Sequence, residues 1–246
     1  MADPRFYCPE PVFAGQEIVL PAALAHHIRV RRLVAGDTVV LFDGRGGEIA
    51  GTLNFEGKKT LVLLGQHSAR EAELNGEITL IQALPSGDKM DWIIEKAVEL
   101  GVHRVIPVAA QRSVLRLSGA RLDKRLEHWH GVIASASEQC GRNRLMHLSA
   151  PQSLEQAIKA TTPEHRLLCD PEAAHTLAEY VEASHQEQKK IDVLSLLIGP
   201  EGGWSPDEAA AAARQGVTNI KFGLRVLRTE TAGLALVAAS TALLGW

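Results

Sequence analysis

The chain has 246 residues, a formal net charge of -3, 46% hydrophobic residues and 22% charged residues, which is the composition of an ordinary globular protein. No apolar run is long enough to cross a bilayer, and residues 1–11 lack the apolar core of a signal peptide, so we expect a cytoplasmic protein without membrane contact. The 3 cysteines are far apart, which favours reduced thiols over a disulfide framework or a metal site.

The first seventy residues predict a small, mostly β domain. One helical segment, residues 22–33, interrupts β-type runs at residues 17–21, 37–44, 48–55 and 59–65. Short strands at this spacing are typical of a barrel. Residues 69–77 are polar and lack periodicity, so we place the linker there and predict one domain over 1–72 and another over 73–246.

In the second domain, predicted strands alternate with predicted helices. The strands are expected at 78–84, 104–110, 165–170, 193–199 and 219–223. The helices are expected at 88–100, 121–139, 173–188, 206–214 and 230–244. Such alternation predicts an α/β fold with a parallel sheet covered on both faces.

The stretch LLIGPEGGWSPDE, residues 196–208, joins an apolar strand to a marked helix start. Gly199 and the pair Gly202–Gly203 permit close backbone approaches. Ser205 is a good N-cap, and Glu208 stands where a capping box needs it. Ligands of open α/β sheets bind beyond the carboxyl ends of the strands, so this turn is a candidate binding loop. The dinucleotide, Walker and serine-elbow patterns are all lacking, and a purely structural turn is the alternative.

A second such stretch, FGLRVLRTETAGLAL, occupies residues 222–236. It again follows a strand that ends in glycine and leads into an apolar helix, which Thr229 is predicted to cap. Arg228 would then project beside a helix N-terminus, where anions are favoured. The alternative for Arg228 is a structural ion pair with Glu230 or Glu201.

Positive charge is concentrated in two segments of this nearly neutral chain. Residues 26–32, HHIRVRR, contain three arginines. Between residues 112 and 144 the basic residues outnumber three acids; they are Arg112, Arg116, Arg121, Lys124, Arg125, Arg142 and Arg144. Two basic patches indicate contact with a polyanion, and solvated faces are the alternative.

Taken together, LLIGPEGGWSPDE and LRVLRTETAGLAL resemble the SPOUT class of S-adenosylmethionine-dependent RNA methyltransferases, and above all the RsmE family of 16S ribosomal RNA uracil-N3 methyltransferases. Residues 26–44, 87–102 and 137–144 agree with the same family, so the resemblance spans nearly the whole chain. It implies a PUA-like β-barrel followed by a SPOUT domain with a C-terminal trefoil knot. It also implies a homodimer that acts on the small ribosomal subunit.

The resemblance further implies that the donor, S-adenosyl-L-methionine, binds in the knot against the loops 167–171, 197–203 and 223–232. Backbone groups there would read the donor, and apolar side chains would enclose its adenine. The expected donor-binding residues are Leu168, Ile198, Gly199, Pro200, Glu201, Gly203, Leu224, Val226, Leu227, Arg228, Thr231 and Ala232. Ordinary core packing is the alternative for the apolar members. No metal is required.

Uracil N3 carries a proton at neutral pH, so the site must remove it or stabilise the resulting anion. Arg228 is our candidate for anion stabilisation. Glu201 or Glu230 would act as base or would orient Arg228. Thr229 would hydrogen-bond the base or the donor. The expected contacts to RNA are Arg5, His27, Arg29, Arg31, Arg32, Arg112, Arg142 and Arg144.

Two other functions remain open from the sequence. A SPOUT enzyme that methylates another RNA base or a ribose 2′-hydroxyl would share the donor loops, and only the product nucleoside separates the two. A non-catalytic ribosome-assembly protein that binds RNA would lack donor binding. Cys140 is read as structural because N3 methylation needs no covalent adduct.

Overall fold

The computed structural model describes residues 3–115 and 117–246, so Arg116 of the second basic patch lies outside the described residues. The chain divides into two compact units. The first comprises Met1–Glu73 together with Ala134–Leu145, and the second comprises Leu74–Ile133 together with Met146–Trp246. The units therefore do not coincide with the continuous segments 1–72 and 73–246, because residues 134–145 pack with the first unit.

The first unit contains a five-stranded sheet and one helix. Its elements are β1 Arg5–Tyr7, β2 Glu17–Val19, α1 Ala22–Val30, β3 Thr38–Phe42, β4 Glu48–Glu56 and β5 Lys59–Ser68. The strand order is β1-β3-β4-β5-β2, and only the β1–β3 pair is parallel. Alternate residues of β4 are buried, as the period of a half-buried strand requires. The four predicted strands and the predicted helix are confirmed.

The core of this unit is made by one face of the sheet and by α1. Phe6, Leu41 and Val62 from the strands are fully buried, and so is Ile28 from the helix. β1 was not predicted, because three residues between a proline and a cysteine-proline pair are too few to show a period.

The second unit contains a six-stranded parallel sheet in the order β11-β9-β10-β6-β7-β8. Its strands are β6 Glu77–Ala83, β7 Arg104–Val108, β8 His147–Leu148, β9 Arg166–Cys169, β10 Val193–Ile198 and β11 Thr218–Ile220. Its helices are α2 Lys89–Glu99, α3 Gly119–Cys140, α4 Leu154–Lys159, α5 Leu177–Gln186, α6 Pro206–Arg214 and α7 Thr229–Leu244. The end of α3, from residue 134, belongs to the first unit.

The predicted α/β organisation of this unit is confirmed, and the predicted strands and helices are all present. The sequence missed β8 and α4, which have only 2 and 6 residues. For α4 a signal existed, because Ser153 and Gln156 form a capping box. The trefoil knot stays a prediction with which the strand order is consistent. No helix among the described residues is both long and apolar enough to span a bilayer.

Residues 134–145 are held to the first unit by polar contacts. Glu138 Oε1 accepts a hydrogen bond from the Tyr7 N–H (2.9 Å), and Asn143 Nδ2 donates to Arg70 O (2.7 Å). Arg142 donates to both carboxylate oxygens of Glu73, at 3.0 and 2.6 Å. The SEQCGRNR motif thus completes the first unit, which its position in the sequence does not reveal.

The start of α6 follows the predicted capping pattern. Ser205 Oγ accepts from the Glu208 N–H (3.2 Å), and Glu208 Oε2 accepts from the Ser205 N–H (3.0 Å). Glu208 Oε1 also accepts from the Gln111 N–H (2.9 Å). Pro206 occupies the first turn, where its missing N–H is harmless. The box therefore fixes the helix that follows the Gly-Pro turn.

Replacing Ser205 with alanine should lower the free energy of unfolding by about 1 kcal/mol, the usual cost of losing an N-cap side chain. Urea unfolding followed by circular dichroism measures the effect. Ser205→Thr is the control, since it keeps a capping hydroxyl and should retain most of the stability. Equal stability of Ser205→Ala and the parent chain would contradict the role given to the box.

Candidate active site

A cavity of about 520 Å³ lies in the second unit, at the carboxyl edge of the parallel sheet. The loops that follow β9, β10 and β11 form most of its wall, because parallel strands bring their carboxyl ends to one edge. Its size falls in the range of small-molecule sites, about 300–1,000 Å³. It is lined by Lys89, Leu168, Cys169, Asp170, Pro171, Ile198, Gly199, Pro200, Glu201, Gly203, Trp204, Ala209, Phe222, Gly223, Arg225, Val226, Leu227, Arg228, Thr229 and Ala232.

Most of the expected donor-binding residues line this cavity. They are Leu168, Ile198, Gly199, Pro200, Glu201, Gly203, Val226, Leu227, Arg228 and Ala232. Two others do not: the side chain of Leu224 is 98% exposed, and Thr231 is exposed on α7. Of the proposed catalytic residues, Arg228, Glu201 and Thr229 line the cavity and Glu230 does not. Their roles stay predictions.

The turn after β10 is closed by its own backbone. Gly203 N–H donates to Pro200 O (2.8 Å), and Gly203 has a φ of 67°, which favours glycine. A Cβ added to Gly199 would lie 3.3 Å from Trp204 Nε1, so the glycine allows the indole to approach. Arg112 Nη1 donates to Gly202 O (2.9 Å). The cavity wall is thus a tight turn that a neighbouring loop supports.

Thr229 does not cap α7, contrary to the prediction. Arg228 is the N-cap residue and makes no side-chain capping bond, and Thr229 is the first residue of the helix. The Thr229 hydroxyl instead donates to Gly199 O (2.5 Å). Because it is a helical residue with its side chain turned toward the sheet edge, it joins the start of α7 to the turn after β10.

Lys89 is a cavity residue that the sequence reasoning missed. Its ammonium lies 3.0 Å from Glu201 Oε1 and 3.3 Å from Glu230 Oε2, so both proposed acids share one cation. The alternative reading of Arg228, a structural ion pair with one of these acids, is therefore not what the structure shows. The expected topology could have indicated Lys89, because it begins α2, the helix that follows β6, and β6 pairs in parallel with β10.

Glu201 is the most strongly held acid of the site. Its Oε1 accepts from the Ser86 N–H (3.1 Å) and the Ser86 hydroxyl (2.7 Å), in addition to Lys89. Desolvation raises the pKa of this carboxyl, but the hydrogen bonds from Ser86 and Lys89 outweigh that effect and lower the pKa to about 2. The hydrogen bonds to Glu201 and Glu230 raise the pKa of Lys89. Glu201 is therefore a fixed anion and a weak proton acceptor.

Arg228 is exposed and makes no ion pair or side-chain hydrogen bond within the described residues. Arg228 is the N-cap residue of α7, and the backbone N–H groups at a helix N-terminus also favour negative charge. The cavity therefore offers an uncommitted cation beside a helix start.

Burial raises the pKa of the nearby Cys169 thiol to about 11, so that cysteine is a neutral lining group rather than a nucleophile.

The expected RNA contacts of the first unit fall into two groups. Arg29, Arg31 and Arg32 are exposed at the end of α1 and just beyond it, and Arg31 stands over the Phe6 ring at 5.5 Å. His27 is half-buried against the same ring. Arg5, in contrast, is paired with Glu48 and donates to Asn143 Oδ1 (2.6 Å).

Arg142 belongs with Arg5, because its side chain is only 3% exposed and is paired with Glu73. Arg144 is 55% exposed and lies 3.3 Å from Glu71. Buried arginines that already hold carboxylates have little surface to offer a phosphate. The structure thus leaves the arginines at the end of α1 and just beyond it exposed, and it gives Arg5 and Arg142 a structural role.

Trp92, Trp129 and Trp204, which by residue type are more often core or interface residues than base-stacking platforms, differ in their environments. Trp129 is fully buried, and its Nε1 donates to Asp91 Oδ1 (2.8 Å). Trp92 is 45% exposed. Trp204 lines the cavity, with its Nε1 buried and without a hydrogen-bond partner in the described part of the chain. Only Trp204 is therefore placed to touch a ligand, which sequence reasoning did not single out.

Comparison with known proteins relates both units to RNA methylation. The family described as RNA methyltransferase domain matches residues 72–241, and the RNA methyltransferase PUA domain matches residues 20–64. The ribosomal RNA small subunit methyltransferase E of Synechocystis is 32% identical over 239 residues, which cover 96% of this chain and 76% of that protein. The protein of the same name from Bacillus subtilis is 31% identical, with 87% and 85% covered.

A solved structure gives the same relation in three dimensions. The ribosomal RNA small subunit methyltransferase E from Neisseria gonorrhoeae, bound to S-adenosyl methionine, is 34% identical to this chain. The TM-score is 0.90, and 98% of each chain is covered.

Glu201 should make stability depend on acid pH. Its folded-state pKa of about 2 lies below the ordinary value of 4.5, so its stabilising contribution is present above about pH 4.5 and is lost as pH falls toward 2. The stability difference between the parent chain and Glu201→Gln should therefore shrink over that interval. Urea unfolding at a series of pH values measures this stability difference. Ser86→Ala should lose less stability than Glu201→Gln and more than none, because it removes only one of the hydrogen bonds to Glu201. A difference that is constant with pH would contradict this assignment.

Substitutions of Arg142 and Arg32 should differ in their effect on stability, because Arg142 is buried in an ion pair and Arg32 is exposed. Arg142→Met leaves Glu73 without its bidentate partner and should cost about 3 kcal/mol of unfolding free energy. Arg32→Gln changes an exposed residue and should alter stability by no more than about 0.5 kcal/mol. Urea unfolding of both variants provides the comparison. Similar stabilities for the two variants would show that the Glu73 pair does not support the first unit.

Proposed function

This chain belongs to the RNA methyltransferase family that includes ribosomal RNA small subunit methyltransferase E, and we propose that it methylates uracil N3 of a uridine in 16S ribosomal RNA. The methyl donor is S-adenosyl-L-methionine. The observation that carries the proposal is the cavity at the carboxyl edge of the sheet, where the loops after β9, β10 and β11 converge. The same loops carry the two motifs from which the family was inferred.

The residues of the cavity suit a donor with a flat base and a positive sulfonium. Leu168, Ile198 and Val226 supply apolar walls, and Gly199 lets backbone come close to a ligand. The Nε1–H of Trp204, which has no partner among the described residues, is a buried donor on the wall. Glu201 adds an ionised carboxylate to the lining, and this carboxylate is paired with Lys89.

The transfer itself breaks the bond between sulfur and the methyl carbon and forms a bond between that carbon and N3. The proton of N3 leaves to a base or to water, and the sulfonium becomes a neutral thioether. Positioning of the two reactants in line supplies much of the acceleration, so no protein nucleophile is required. The protein must hold both reactants and stabilise the imide anion.

Arg228 is the residue we assign to the imide anion. Its side chain makes no ion pair or hydrogen bond within the described residues, and Arg228 is the N-cap residue of α7, so the guanidinium and the first N–H groups of the helix can both face negative charge on the uracil oxygens. Glu201 holds Lys89 in place and balances its charge rather than taking the proton, because its pKa of about 2 makes it a poor base. Glu230 shares Lys89 with Glu201 but does not line the cavity, so we assign the N3 proton to water rather than to this carboxylate.

The target must be unpaired or extruded from a helix, because N3 lies on the Watson–Crick edge. Arg29, Arg31 and Arg32 of the first unit are proposed to hold neighbouring phosphates. We further propose a cytoplasmic homodimer that acts on the small ribosomal subunit. Support for a second copy comes from Leu224 and Val226, whose apolar side chains are 98% and 77% exposed beside the cavity.

The deciding experiment is methyl transfer from labelled S-adenosylmethionine to small ribosomal subunits from a strain that lacks this protein. The RNA is digested to nucleosides, and the labelled product is identified by mass spectrometry. We expect N3-methyluridine. If the product is another methylated base or a 2′-O-methyl nucleoside, uracil N3 is not the acceptor, and only the methyl donor in this proposal is retained. Absence of both transfer and donor binding would favour a non-catalytic RNA-binding protein.

Arg228→Ala should lower kcat by about a hundredfold, the usual loss when one donor to a developing anion is removed. The Kd for S-adenosylmethionine, measured by calorimetry, should change much less, since the role lies in the transition state. Arg214→Ala, on the last turn of α6, is the control for removal of an exposed arginine. Unchanged turnover in Arg228→Ala would remove this residue from the mechanism.

A further inference from the structure

A short chain of hydrogen bonds runs from the interior of the parallel sheet to the wall of the cavity. Gln82 Nε2, near the end of β6, donates to Thr229 Oγ1 (3.0 Å). Thr229 Oγ1 donates in turn to Gly199 O (2.5 Å). Gln82 is fully buried and Thr229 is 7% exposed, so protein atoms rather than solvent determine these bonds.

The donors and acceptors in this series of hydrogen bonds follow from the chemistry of the groups involved. Gln82 Nε2 also donates to Ala83 O (3.0 Å), and a carbonyl can only accept, so the amide nitrogen must occupy this side of the side chain. Its second hydrogen goes to Thr229 Oγ1. The Thr229 hydroxyl therefore accepts from Gln82 and keeps its own hydrogen for Gly199 O.

The carbonyl of Gly199 is an unusual point of attachment. It belongs to the peptide that joins Gly199 to Pro200, and proline has no N–H. That carbonyl is therefore the only hydrogen-bonding group of the peptide. Holding it fixes the peptide plane at the start of the turn that lines the cavity.

Stability alone does not explain an amide at position 82. Gln82 Oε1 is buried and has no hydrogen-bond partner among the described residues, and an unpaired buried acceptor destabilises a fold. The oxygen lies against α7, where a Cβ on Gly233 would come within 3.2 Å of it. Methionine has a similar shape and would remove the unpaired oxygen.

We propose that Gln82 is a positioning residue for the methyl donor. It sets the Thr229 hydroxyl, and through that hydroxyl it holds the Gly199–Pro200 peptide in its binding orientation before the donor arrives. The inference rests on the proposed function for the identity of the ligand. Its register agrees: Gln82 pairs with Ile198, the residue immediately before Gly199. A wall that is already ordered loses less conformational freedom when the donor binds.

The effect belongs to donor binding rather than to the chemical step. Gln82→Met should raise the Kd and the KM for S-adenosylmethionine about fivefold to tenfold, the size of one neutral hydrogen bond, with kcat changed less than about twofold. Thr229→Val should weaken donor binding at least as much. Thr229→Ser should recover most of the affinity that Thr229→Val loses, because it restores the hydroxyl.

A double-mutant cycle tests whether the two residues act as one chain. We expect Gln82→Met to have little further effect on donor Kd once Thr229 is valine, because the link to Gly199 is already lost. Ser195→Ala is the matched control: Ser195 is also fully buried on a central strand, β10, its hydroxyl has no partner within the described part of the chain, and it does not line the cavity. Its donor Kd should equal that of the parent chain.

Calorimetry with S-adenosylmethionine, thermal unfolding and methyl-transfer kinetics are measured on the full-length chain and each variant. Parent-like donor affinity in Gln82→Met overturns the inference, and so does full additivity with Thr229→Val. A loss of affinity that Ser195→Ala reproduces also overturns it, since that indicates general damage to the sheet. If the parent chain transfers methyl groups while Gln82→Met binds normally, only this inference fails. If the parent chain binds no donor, the proposed function fails together with it.

Discussion

Parallel pairing of β6, β10, β9 and β11 is the constraint on which the rest of the site depends. It brings the carboxyl ends of these strands to one edge of the sheet, although they are separated by up to about 140 residues of sequence. Everything chemical in the second unit follows from that edge. The Gly-Pro turn, the loop before α7 and the first residue of α2 become neighbours there, and they enclose the cavity.

At this edge, charge is arranged around a single ammonium. Lys89 lies between Glu201 and Glu230, and Ser86 adds two further hydrogen bonds to one oxygen of Glu201. The arrangement divides the two acids: one is a fixed anion with its pKa near 2, and the other is held by the ion pair alone. Lys89 holds the two carboxylates that were the alternative partners of Arg228, and Arg228 has no ion pair among the described residues. An arginine without a protein partner is the kind of group that can respond to charge on a substrate.

The arginines of the first unit also fall into two groups, one paired within the protein and one exposed to solvent. Arg142 is buried and Arg5 is largely buried, and they tie residues 134–145 to the rest of that unit through the Arg142–Glu73 pair and the Arg5–Asn143 hydrogen bond. Arg29, Arg31 and Arg32 are exposed. In the sequence Arg29, Arg31, Arg32 and Arg142 look alike as members of basic segments, and Arg5 stands outside both segments. Burial separates these arginines, because a guanidinium that is removed from water must already be paired, and a paired one has fewer donors left for a phosphate.

The sequence by itself determined the elements and the two loops of the site, because period, glycine position and capping residues act within a few residues of each other. It thus predicted the α/β class and the helix start at Ser205. The resemblance to a known family supplied the ten expected donor-binding residues that line the cavity. Only the tertiary structure decided which cation meets which anion. Lys89 reaches Glu201 across 112 positions, Thr229 bonds to Gly199 instead of capping α7, and Gln82 supports Thr229 from another strand. Residues 134–145 joined the first unit for the same reason: these contacts depend on distances in space, which local patterns do not contain.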